Sequence, residues 1–344
     1  MRAAALLLPL LLVLLGCSRP LPPGTTEIVY ATPYGPTHPF SRADRAWMDF
    51  VDRRSGGTLR VRPSWSGALL SSDHSMEELR HGVADAGLIT PIYVKGGAHL
   101  IRVQSGFYAG ITDIDQQLAL YRCMAAASPQ FAEELDGLVV LAVQGGSLPG
   151  IITRERPVRT LDDLRGLRIR APTELLSVLR HLGADPVNMP MGEVYSALAK
   201  GVLDGVVAPA DTFRALHFAE VTRHFTPLAI PRGAYPARAM SRARWDRLSP
   251  EHRAVLREAS AVWEAALARE ISAALEAGFE AATSSGVQVY PVRPEDQSAF
   301  DALYLRDAAA NAAALSRYGI DGSQVFNTAR ASIGANGQVT CRSS

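Results

Sequence analysis

Residues 157–205 read PVRTLDDLRGLRIRAPTELLSVLRHLGADPVNMPMGEVYSALAKGVLDG. This stretch decides the fold class, because a short strand pattern alternates in it with helical patterns. Leu167–Ala171 predicts a strand, while Glu174–Leu182 and Met191–Lys200 predict helices, each followed by a glycine. Such alternation is typical of α/β domains with parallel sheets and crossover helices.

The same alternation extends toward the amino terminus. Strand Glu27–Ala31, a helix Ser41–Arg53 with the serine as its cap, and strand Thr58–Trp65 form a β-α-β unit. The next elements are predicted as a helix, a strand, a helix and a strand at Ser75–Val83, Ala86–Thr90, Asp115 to about Leu135, and Val139–Gln144. This first unit ends around Gly145, and a second unit begins with the strand Gly150–Thr153.

A long helix is predicted after the second unit. The run from Glu251 to about Thr283 contains no proline. Large apolar residues recur in it every four residues or so, at Leu256, Trp263, Leu267, Ile271, Leu275 and Phe279. One long or bent helix is therefore expected.

The charge balance argues against polyanion binding. The chain holds 35 Lys+Arg against 34 Asp+Glu, with 20% charged and 47% hydrophobic residues. No excess of positive charge attracts nucleic acid or an acidic membrane surface. At about 150 residues per domain, the length predicts about two folded units.

No familiar catalytic signature is present in the sequence. It lacks a Gly-x-Ser-x-Gly elbow, His-Glu-x-x-His, Cys-x-x-Cys and a Walker loop, so the usual enzyme classes lose support. Gly145–Ser147 follows a strand and is either a plain turn or a cradle for an anion. His74, Glu78 and His81 share one predicted helix face, for which a solvated surface is favoured over a metal site. We therefore expect no cofactor.

The stretch quoted above carries six motifs that point to a family. They are the Asp-x-x-Gly run Asp163–Gly166, Leu-Arg-Ile-Arg-Ala-Pro, Leu-Gly-Ala-Asp-Pro-Val, Met-Pro, Glu-Val-Tyr-x-Ala-Leu and Gly-Val-Leu-Asp-Gly. In this order and spacing they resemble the substrate-binding proteins of tripartite ATP-independent periplasmic (TRAP) transporters. Tyr30–Pro39, Glu77–Gly87 and Trp245–Leu248 are similar to other parts of the same family, so the resemblance covers essentially the whole mature chain.

The resemblance implies a two-lobed α/β fold like that of periplasmic binding proteins. Two α/β domains are joined by crossing strands and a long helix, and the ligand lies in the cleft between them. The expected first lobe comprises residues 26–147 plus about 236–275. The expected second lobe comprises residues 148–235 plus about 276–330, and residues 331–344 form a tail.

Arg170 is the strongest candidate for ligand contact. It ends the strand Leu167–Ala171, and ligands of α/β units bind at the carboxyl ends of strands. A guanidinium suits a carboxylate because its planar fork donates two parallel charged hydrogen bonds. In the family, the arginine that matches Arg170 binds an organic acid; a structural salt bridge is the alternative. Arg168 has the same strand parity and is interpreted as a surface residue.

Weaker candidates surround the same cleft. Tyr34, His38, Trp65, Thr90 and Tyr93 lie near the carboxyl ends of the first three strands, on one rim of the first lobe. The remaining candidates lie where the chain crosses between the lobes and are Ser147, Arg232 and Tyr235.

Two departures from the family pattern bear on the substrate. Ala208 stands where many members have an asparagine, and neither Pro149 nor Gly150 supplies the further arginine of dicarboxylate and sialic-acid binders. These losses predict a monocarboxylate with an apolar or aromatic body. Arg232 would overturn this prediction if it supplied a second charge from the hinge.

The amino terminus predicts export. Arg2 and the apolar run Ala3–Leu15 are typical of a secretory signal and too short to span a bilayer. The following Leu-Leu-Gly-Cys resembles the lipobox of bacterial lipoproteins, which implies a signal peptide at residues 1–16 and a lipidated Cys17. An ordinary signal cleaved close by is the alternative. The proline-rich residues 17–25 suit a tether.

Two further cysteines remain after export. In an oxidising compartment Cys123 and Cys341 either form one disulfide that ties the tail to the body or remain as two thiols. The sequence leaves both alternatives open, because pairing depends on geometry.

The leading function is therefore that of a lipid-anchored extracytoplasmic protein. It would close on a small organic acid and deliver the acid to the membrane subunits of a TRAP transporter, with no nucleic-acid partner and no catalytic residue. A ligand-presenting sensor for a membrane receptor and an extracytoplasmic enzyme on the same scaffold are the alternatives, since a fold does not fix a function.

Overall fold

The computed structural model describes residues 22–94 and 96–342. Its strands are β1 (Thr26–Ala31), β2 (Leu59–Ser64), β3 (Ala86–Leu88), β4 (Leu138–Gln144), β5 (Gly150–Thr153), β6 (Arg168–Arg170), β7 (Asp185–Val187), β8 (Gly205–Ala208), β9 (His224–Thr226), β10 (Tyr235–Ser241) and β11 (Gln288–Val289). Its α-helices are α1 (Pro39–Arg54), α2 (Ser75–Arg80), α3 (His99–Val103), α4 (Ile114–Ala127), α5 (Gln130–Glu133), α6 (Leu176–His181), α7 (Met191–Ala199), α8 (Thr212–Ala215), α9 (Phe218–Val221), α10 (Arg242–Asp246), α11 (Pro250–Ser284), α12 (Pro294–Ala313) and α13 (Gly322–Ser332). Short 3-10 helices occur at Pro91–Tyr93, Gln104–Tyr108, Leu161–Leu164, Thr173–Leu175 and Ala314–Tyr318.

These strands form two sheets, and each sheet is the centre of one lobe. Lobe one contains the order β2-β1-β3-β10-β4, and lobe two contains the order β11-β9-β5-β8-β6-β7. The two-lobed α/β fold predicted from the sequence is thus present. The expected parallel pairing holds for most strands, but both sheets are mixed, because β10 in lobe one and β5 in lobe two run antiparallel to their neighbours.

The two antiparallel strands are those that follow a crossing. The chain leaves lobe one after β4 to enter β5, and it returns from β9 to β10. The two crossing segments contact each other, since the Ile230 amide donates to the Pro149 carbonyl at 3.1 Å. Buried glutamines of lobe one hold them: Gln117 makes two hydrogen bonds with Gly146, and the Gln104 amide group donates to the Ala234 carbonyl. The backbone of the hinge is therefore fixed on the lobe-one side.

Helix limits differ from the sequence predictions where a proline intervenes. The long helix α11 matches its prediction closely, but α1 begins at Pro39 and is capped by His38, so Ser41 is not its cap. Proline suits the first helical turn, which needs no amide donor there. The predicted helix from Asp115 to about Leu135 is broken, because Pro129 forces Ser128 into an extended conformation between α4 and α5.

A buried polar cluster joins five elements of lobe one. Arg238 on β10 is 0% exposed and pairs with Asp44 on α1, whose carboxylate lies 3.0 Å from Nε. The Tyr30 hydroxyl on β1 and the Trp263 indole N–H on α11 also donate to this carboxylate, at 2.7 and 2.9 Å. Gln144 at the end of β4 accepts from Nη1 of Arg238 at 2.6 Å. Both charges are thus buried and paired with each other, the condition under which a buried ion pair is tolerated. Within the described residues Nη2 of Arg238 makes no hydrogen bond and lies 3.0 Å from Oδ1 of Asp44.

The last two helices do not follow the predicted lobe limits. Phe300 and Tyr304 of α12 belong to the core of lobe two, whereas Ala308 and Ala312 belong to the core of lobe one. All of α13 packs on lobe one, through residues such as Val325. The assignment of residues 276–330 to lobe two is therefore wrong for α13 and for the second half of α12, because apolar faces of these helices pack against α4 and the segment 104–108.

The carboxyl-terminal tail is tied to lobe one. Cys123 of α4 and Cys341 form a disulfide with their Cα atoms 5.2 Å apart, which selects the first of the two alternatives left open by the sequence. The predicted signal peptide, Cys17 and most of the tether lie outside the described residues. Within the described ranges, no helix combines the length and the apolarity needed to cross a membrane.

Asp44→Ala tests how much the buried cluster contributes to the free energy of unfolding. Removing one partner of a buried pair leaves the other charge uncompensated, so we expect a loss of about 3–5 kcal/mol in the free energy of unfolding, measured by urea titration. Glu258→Ala, which breaks the exposed pair with Arg54, is the control and should cost less than about 1 kcal/mol. Should Asp44→Ala not fold, Asp44→Asn provides the measurement. Equal losses for the buried and exposed substitutions would contradict this prediction.

Candidate functional site

A cavity of about 140 Å³ lies between the two lobes. Lobe one, lobe two and the returning crossing segment all contribute to its wall. Seven of the nine candidate ligand residues line it, and these are Tyr34, His38, Thr90, Tyr93, Arg170, Arg232 and Tyr235. A wider cavity of about 810 Å³ adjoins it and shares Tyr34, His38, Tyr93, Met191 and Asp211 as wall residues.

Arg170 reaches from lobe two to lobe one. It is the last residue of β6 and only 2% exposed. Its Nε donates to the Met189 carbonyl at 3.0 Å, and its Nη2 donates to the Tyr93 hydroxyl at 2.6 Å. The guanidinium is also placed over the Tyr93 ring, 5.7 Å from its centre. Arg170 is therefore a buried cation oriented by neutral groups, and it forms no ion pair within 4.0 Å in the part of the chain that the structure describes.

An aromatic group from lobe one forms the opposite wall. The rings of Tyr34 and His38 stack with centres 4.0 Å apart, and Phe40 meets both edge-on. Burial lowers the pKa of His38 to about 3, and the charges of Arg238 and Arg42 act in the same direction. His38 is therefore neutral. Because its Nδ1 accepts from the Phe40 amide, the ring proton is assigned to Nε2.

The hinge supplies a second arginine. Arg232 donates from Nη1 to the Ser147 carbonyl at 3.3 Å. Its guanidinium lies directly against Gly146, where a side-chain Cβ would be 2.4 Å from Cζ. Any larger residue at this position would displace the guanidinium. Arg232 is thus held by the outgoing crossing segment while it lines the cavity.

Two buried carboxylates in the wall were not predicted from the sequence. Asp211 is 8% exposed and Glu174 is 7% exposed. Among the described residues, Oδ1 of Asp211 and Oε2 of Glu174 have no hydrogen-bond partner. Burial raises the pKa of Asp211 to about 6 against the opposing charge of Arg232. Burial also raises the pKa of Glu174, opposed in part by Ser105 and by the charge of Arg170.

The position of Asp211 in the sequence indicates where it lies in the fold. It follows the apolar strand β8 by three residues, so the rule that selected Arg170 also places it at the carboxyl edge of the sheet. The long helix α11 fixes its backbone, since Gly278 approaches so closely that a Cβ there would lie 2.1 Å from the Ala210 carbonyl oxygen. Nothing in the sequence distinguishes Glu174 from an exposed acid near the start of a helix.

Two predicted residues lie away from the cavity. Trp65 packs edge-on against Tyr30 and under Arg45, and it does not belong to the cavity wall. Ser147 lines a different cavity, and the neighbouring Gly146 amide already donates to Gln117. Trp65 and Ser147 therefore do not belong to the wall of this cavity, and the Gly146 amide is already paired and not available to the anion cradle considered for Gly145–Ser147.

Thr90 lines the cavity but its hydroxyl is occupied, because it donates to the Ser72 carbonyl. Its backbone amide donates to the Ser75 hydroxyl. Thr90 therefore shapes the loop after β3. Across residues 22–94 and 96–342, no three histidine, cysteine or acidic side chains are grouped as a metal site would require.

The chain matches a known family over most of its length. The sequence profile of the bacterial extracellular solute-binding proteins, family 7, matches residues 30–310. This chain belongs to that family. Family 7 proteins are extracytoplasmic solute-binding proteins, and one from Chromohalobacter salexigens is 30% identical over 284 residues, covering 78% of this chain and 79% of the relative.

Solved structures of TRAP solute-binding proteins share the fold of this family 7 protein. One from Rhodoferax ferrireducens, in complex with benzoate, has a TM-score of 0.80 at 25% identity and covers 89% of this chain and 97% of its own. One from Bordetella bronchiseptica, with bound (R)- and (S)-mandelate, has a TM-score of 0.78 at 20% identity, covering 89% and 98%. Other solved relatives hold galacturonate or glucuronate.

The raised pKa of Asp211 predicts that ionisation of this carboxyl lowers the free energy of unfolding in a pH-dependent way. In the folded state its carboxyl keeps a proton up to about pH 6, whereas the unfolded carboxyl ionises near pH 4, so folding stability falls as the pH rises through this window. Asp211→Asn removes that cost. We expect it to raise the free energy of unfolding at pH 8 by on the order of 2 kcal/mol.

Urea titrations at pH 4 and pH 8 check this prediction. Most of the gain should be absent at pH 4, where the folded carboxyl is protonated and the unfolded carboxyl is only about half ionised. Asp49→Asn, an exposed carboxylate on α1, is the matched control and should change stability little at either pH. A gain that is equal at both pH values would show that ionisation of Asp211 is not its cause.

Proposed function

We propose that this protein captures a monocarboxylate with an aromatic body in the cavity between its lobes. It then delivers the acid to the membrane subunits of a TRAP transporter while Cys17 anchors it to a membrane through lipid. One observation carries this proposal: Arg170, a buried cation with neutral partners, is directed across a small cavity with aromatic walls.

The size and chemistry of the cavity favour a single ring. A cavity of about 150 Å³ lined by apolar side chains accommodates benzene, and the cavity here is about 140 Å³. Tyr34, Phe40, Tyr93 and Tyr235 supply the aromatic surface. Benzoate and mandelate, bound by two of the similar structures, are ligands of this type.

The charges of the cavity favour a monoanion over a dianion. Arg170 and Arg232 are both in the wall, but Asp211 and Glu174 are in the wall as well. Arg232 lies in the field of Asp211, and Arg170 lies in that of Glu174. Because a second carboxylate would meet these acids in a medium of low dielectric constant, it is disfavoured. The acidic neighbour of Arg232 therefore supports the choice of a monocarboxylate over a dicarboxylate.

The lobes already touch across the ligand site. Besides the contact between Arg170 and Tyr93, the Thr173 hydroxyl donates to the Ile92 carbonyl at 3.4 Å. A carboxylate bound to Arg170 and to groups of lobe one stabilises this closed arrangement over an open one. A ligand drives closure only if it binds the closed state more tightly than the open state.

Arg170→Ala tests the role of Arg170 in binding the ligand carboxylate. Truncating one partner of a buried charged pair costs about 2–5 kcal/mol, so we expect the Kd for benzoate to rise at least ~30-fold in calorimetric titrations. Arg168→Ala is the matched control on the same strand, because Arg168 is exposed and pairs with Asp185. If Arg170→Ala leaves benzoate binding unchanged, Arg170 does not bind the ligand carboxylate. If succinate binds more tightly than benzoate, the ligand is not a monocarboxylate.

Cys17→Ser tests the lipid anchor. The sequence resembles a lipobox at this position, and stable attachment requires the thioether to lipid. We expect the wild-type protein in the membrane fraction and the variant in the soluble extracytoplasmic fraction, as detected by immunoblotting. Equal distribution of both proteins would favour an ordinary cleaved signal.

A further inference from the structure

The wider cavity of about 810 Å³, called the outer cavity below, borders the ligand cavity. Three parts of the molecule contribute to its wall, within residues 33–42 of lobe one, 211–217 of lobe two and 273–277 of α11. It shares wall residues from both lobes with the ligand cavity, whereas Arg170 lines the ligand cavity alone. A solute that enters from this side therefore passes the outer cavity before it reaches Arg170.

The wall of the outer cavity contains two arginines and two histidines, which are Arg42, Arg214, His38 and His217. Arg42 is occupied, because its Nε pairs with Glu270 at 2.6 Å and its Nη1 donates to the Thr37 carbonyl at 2.8 Å. His38 stacks on Tyr34 and caps α1. These side chains are therefore engaged within lobe one and with α11.

Arg214 is exposed at the lobe-two side of the outer cavity. Across residues 22–94 and 96–342, its guanidinium makes no hydrogen bond and no ion pair within 4.0 Å. The two acids close to it along the chain are otherwise placed. Asp211 is buried, and the Glu220 carboxylate lies 3.1 Å from Nδ1 of His217 and accepts from the Tyr195 hydroxyl at 2.8 Å. The charge of Arg214 is thus available to an anion in the outer cavity.

A strained turn follows Arg214. His217 has φ 61° and ψ 22°, the left-handed region that residues other than glycine rarely adopt. Such a conformation persists only where the surrounding structure imposes it, and it is concentrated at ligand-binding segments. Here it turns the chain between α8 and α9, and both Arg214 and His217 line the outer cavity.

We propose that Arg214 is a first binding site for the carboxylate of the solute, which then passes to Arg170. The ligand class is an organic monocarboxylate, and its contact with Arg214 is transient. This inference rests on the proposed function, since it takes Arg170 as the final site of the carboxylate.

The direction of transfer follows from the two environments. Water and salt screen a carboxylate at the exposed Arg214, so that contact is weak. A carboxylate at the buried Arg170 is held in a medium of lower dielectric constant, where the attraction is stronger. Arg214 therefore raises the rate at which solutes reach the cavity without competing for the bound solute.

Stopped-flow fluorescence of the purified protein mixed with benzoate tests the inference. At an ionic strength of about 10 mM, where charges act over long distances, we expect Arg214→Gln to lower kon at least ~threefold. Arg214→Glu, which reverses the charge, should lower kon further. Because Arg214 does not hold the bound carboxylate, koff of Arg214→Gln should fall by the same factor, and its Kd should stay within about twofold of the wild-type value.

Salt and a matched variant provide the controls. At an ionic strength of about 0.5 M, the wild-type protein and Arg214→Gln should associate with benzoate at the same rate, because salt screens the charge. Arg180→Gln removes another exposed arginine of lobe two, on α6, which lines neither cavity. It should keep the wild-type kon at both salt concentrations.

The outcomes separate this inference from the proposed function. If both Arg214 variants associate with benzoate at the wild-type rate in low salt, the first site is overturned while Arg170 keeps its role. A decrease in kon that persists in high salt, or one that Arg180→Gln reproduces, also overturns it. An increase in Kd with unchanged kon would place Arg214 at the bound ligand instead. If the wild-type protein binds neither benzoate nor mandelate, the proposed function fails, and this inference fails with it.

Discussion

The buried ion pair between Arg238 and Asp44 is the interaction on which the rest of this structure depends. Arg238 lies on the strand that returns from lobe two, and its partner Gln144 lies at the end of the strand that leaves for lobe two. Through Trp263 the same carboxylate binds the long helix that passes toward the second lobe. The strand on each side of the hinge and the long helix are thus fixed to one point in lobe one. Lobe two is positioned relative to that point.

Much of the architecture could be predicted from the sequence because its signals are local. Periodicity and the absence of proline defined α11 within a residue or two, and its position at the carboxyl end of a strand placed Arg170 at the cavity. The antiparallel strands β5 and β10 were missed, because strand direction depends on which lobe the chain has just left. Similarly, the cap of α1 was misassigned because a histidine that accepts from a backbone amide is an uncommon cap.

Of the charged residues of the site, the arginine was predicted from the sequence and the buried acids were not, for a physical reason. Arg170 belongs to a recognisable motif, whereas Asp211, Glu174 and Asp44 are acidic residues whose burial depends on distant segments of the chain. Gly278, 67 positions from Asp211, sets how closely α11 approaches it. Sequence patterns show which face of a single helix or strand is buried. They do not show the electrostatic potential inside a cavity that is formed by two lobes.

Helix α12 has a consequence for how the protein opens. One end of this helix packs in the core of lobe two and the other in the core of lobe one, so it acts as a rigid strut between two bodies. A helix cannot bend sharply without losing backbone hydrogen bonds. The lobes are therefore not free to separate along the line between them. A rotation that keeps both ends of the strut seated is the opening motion that preserves this packing.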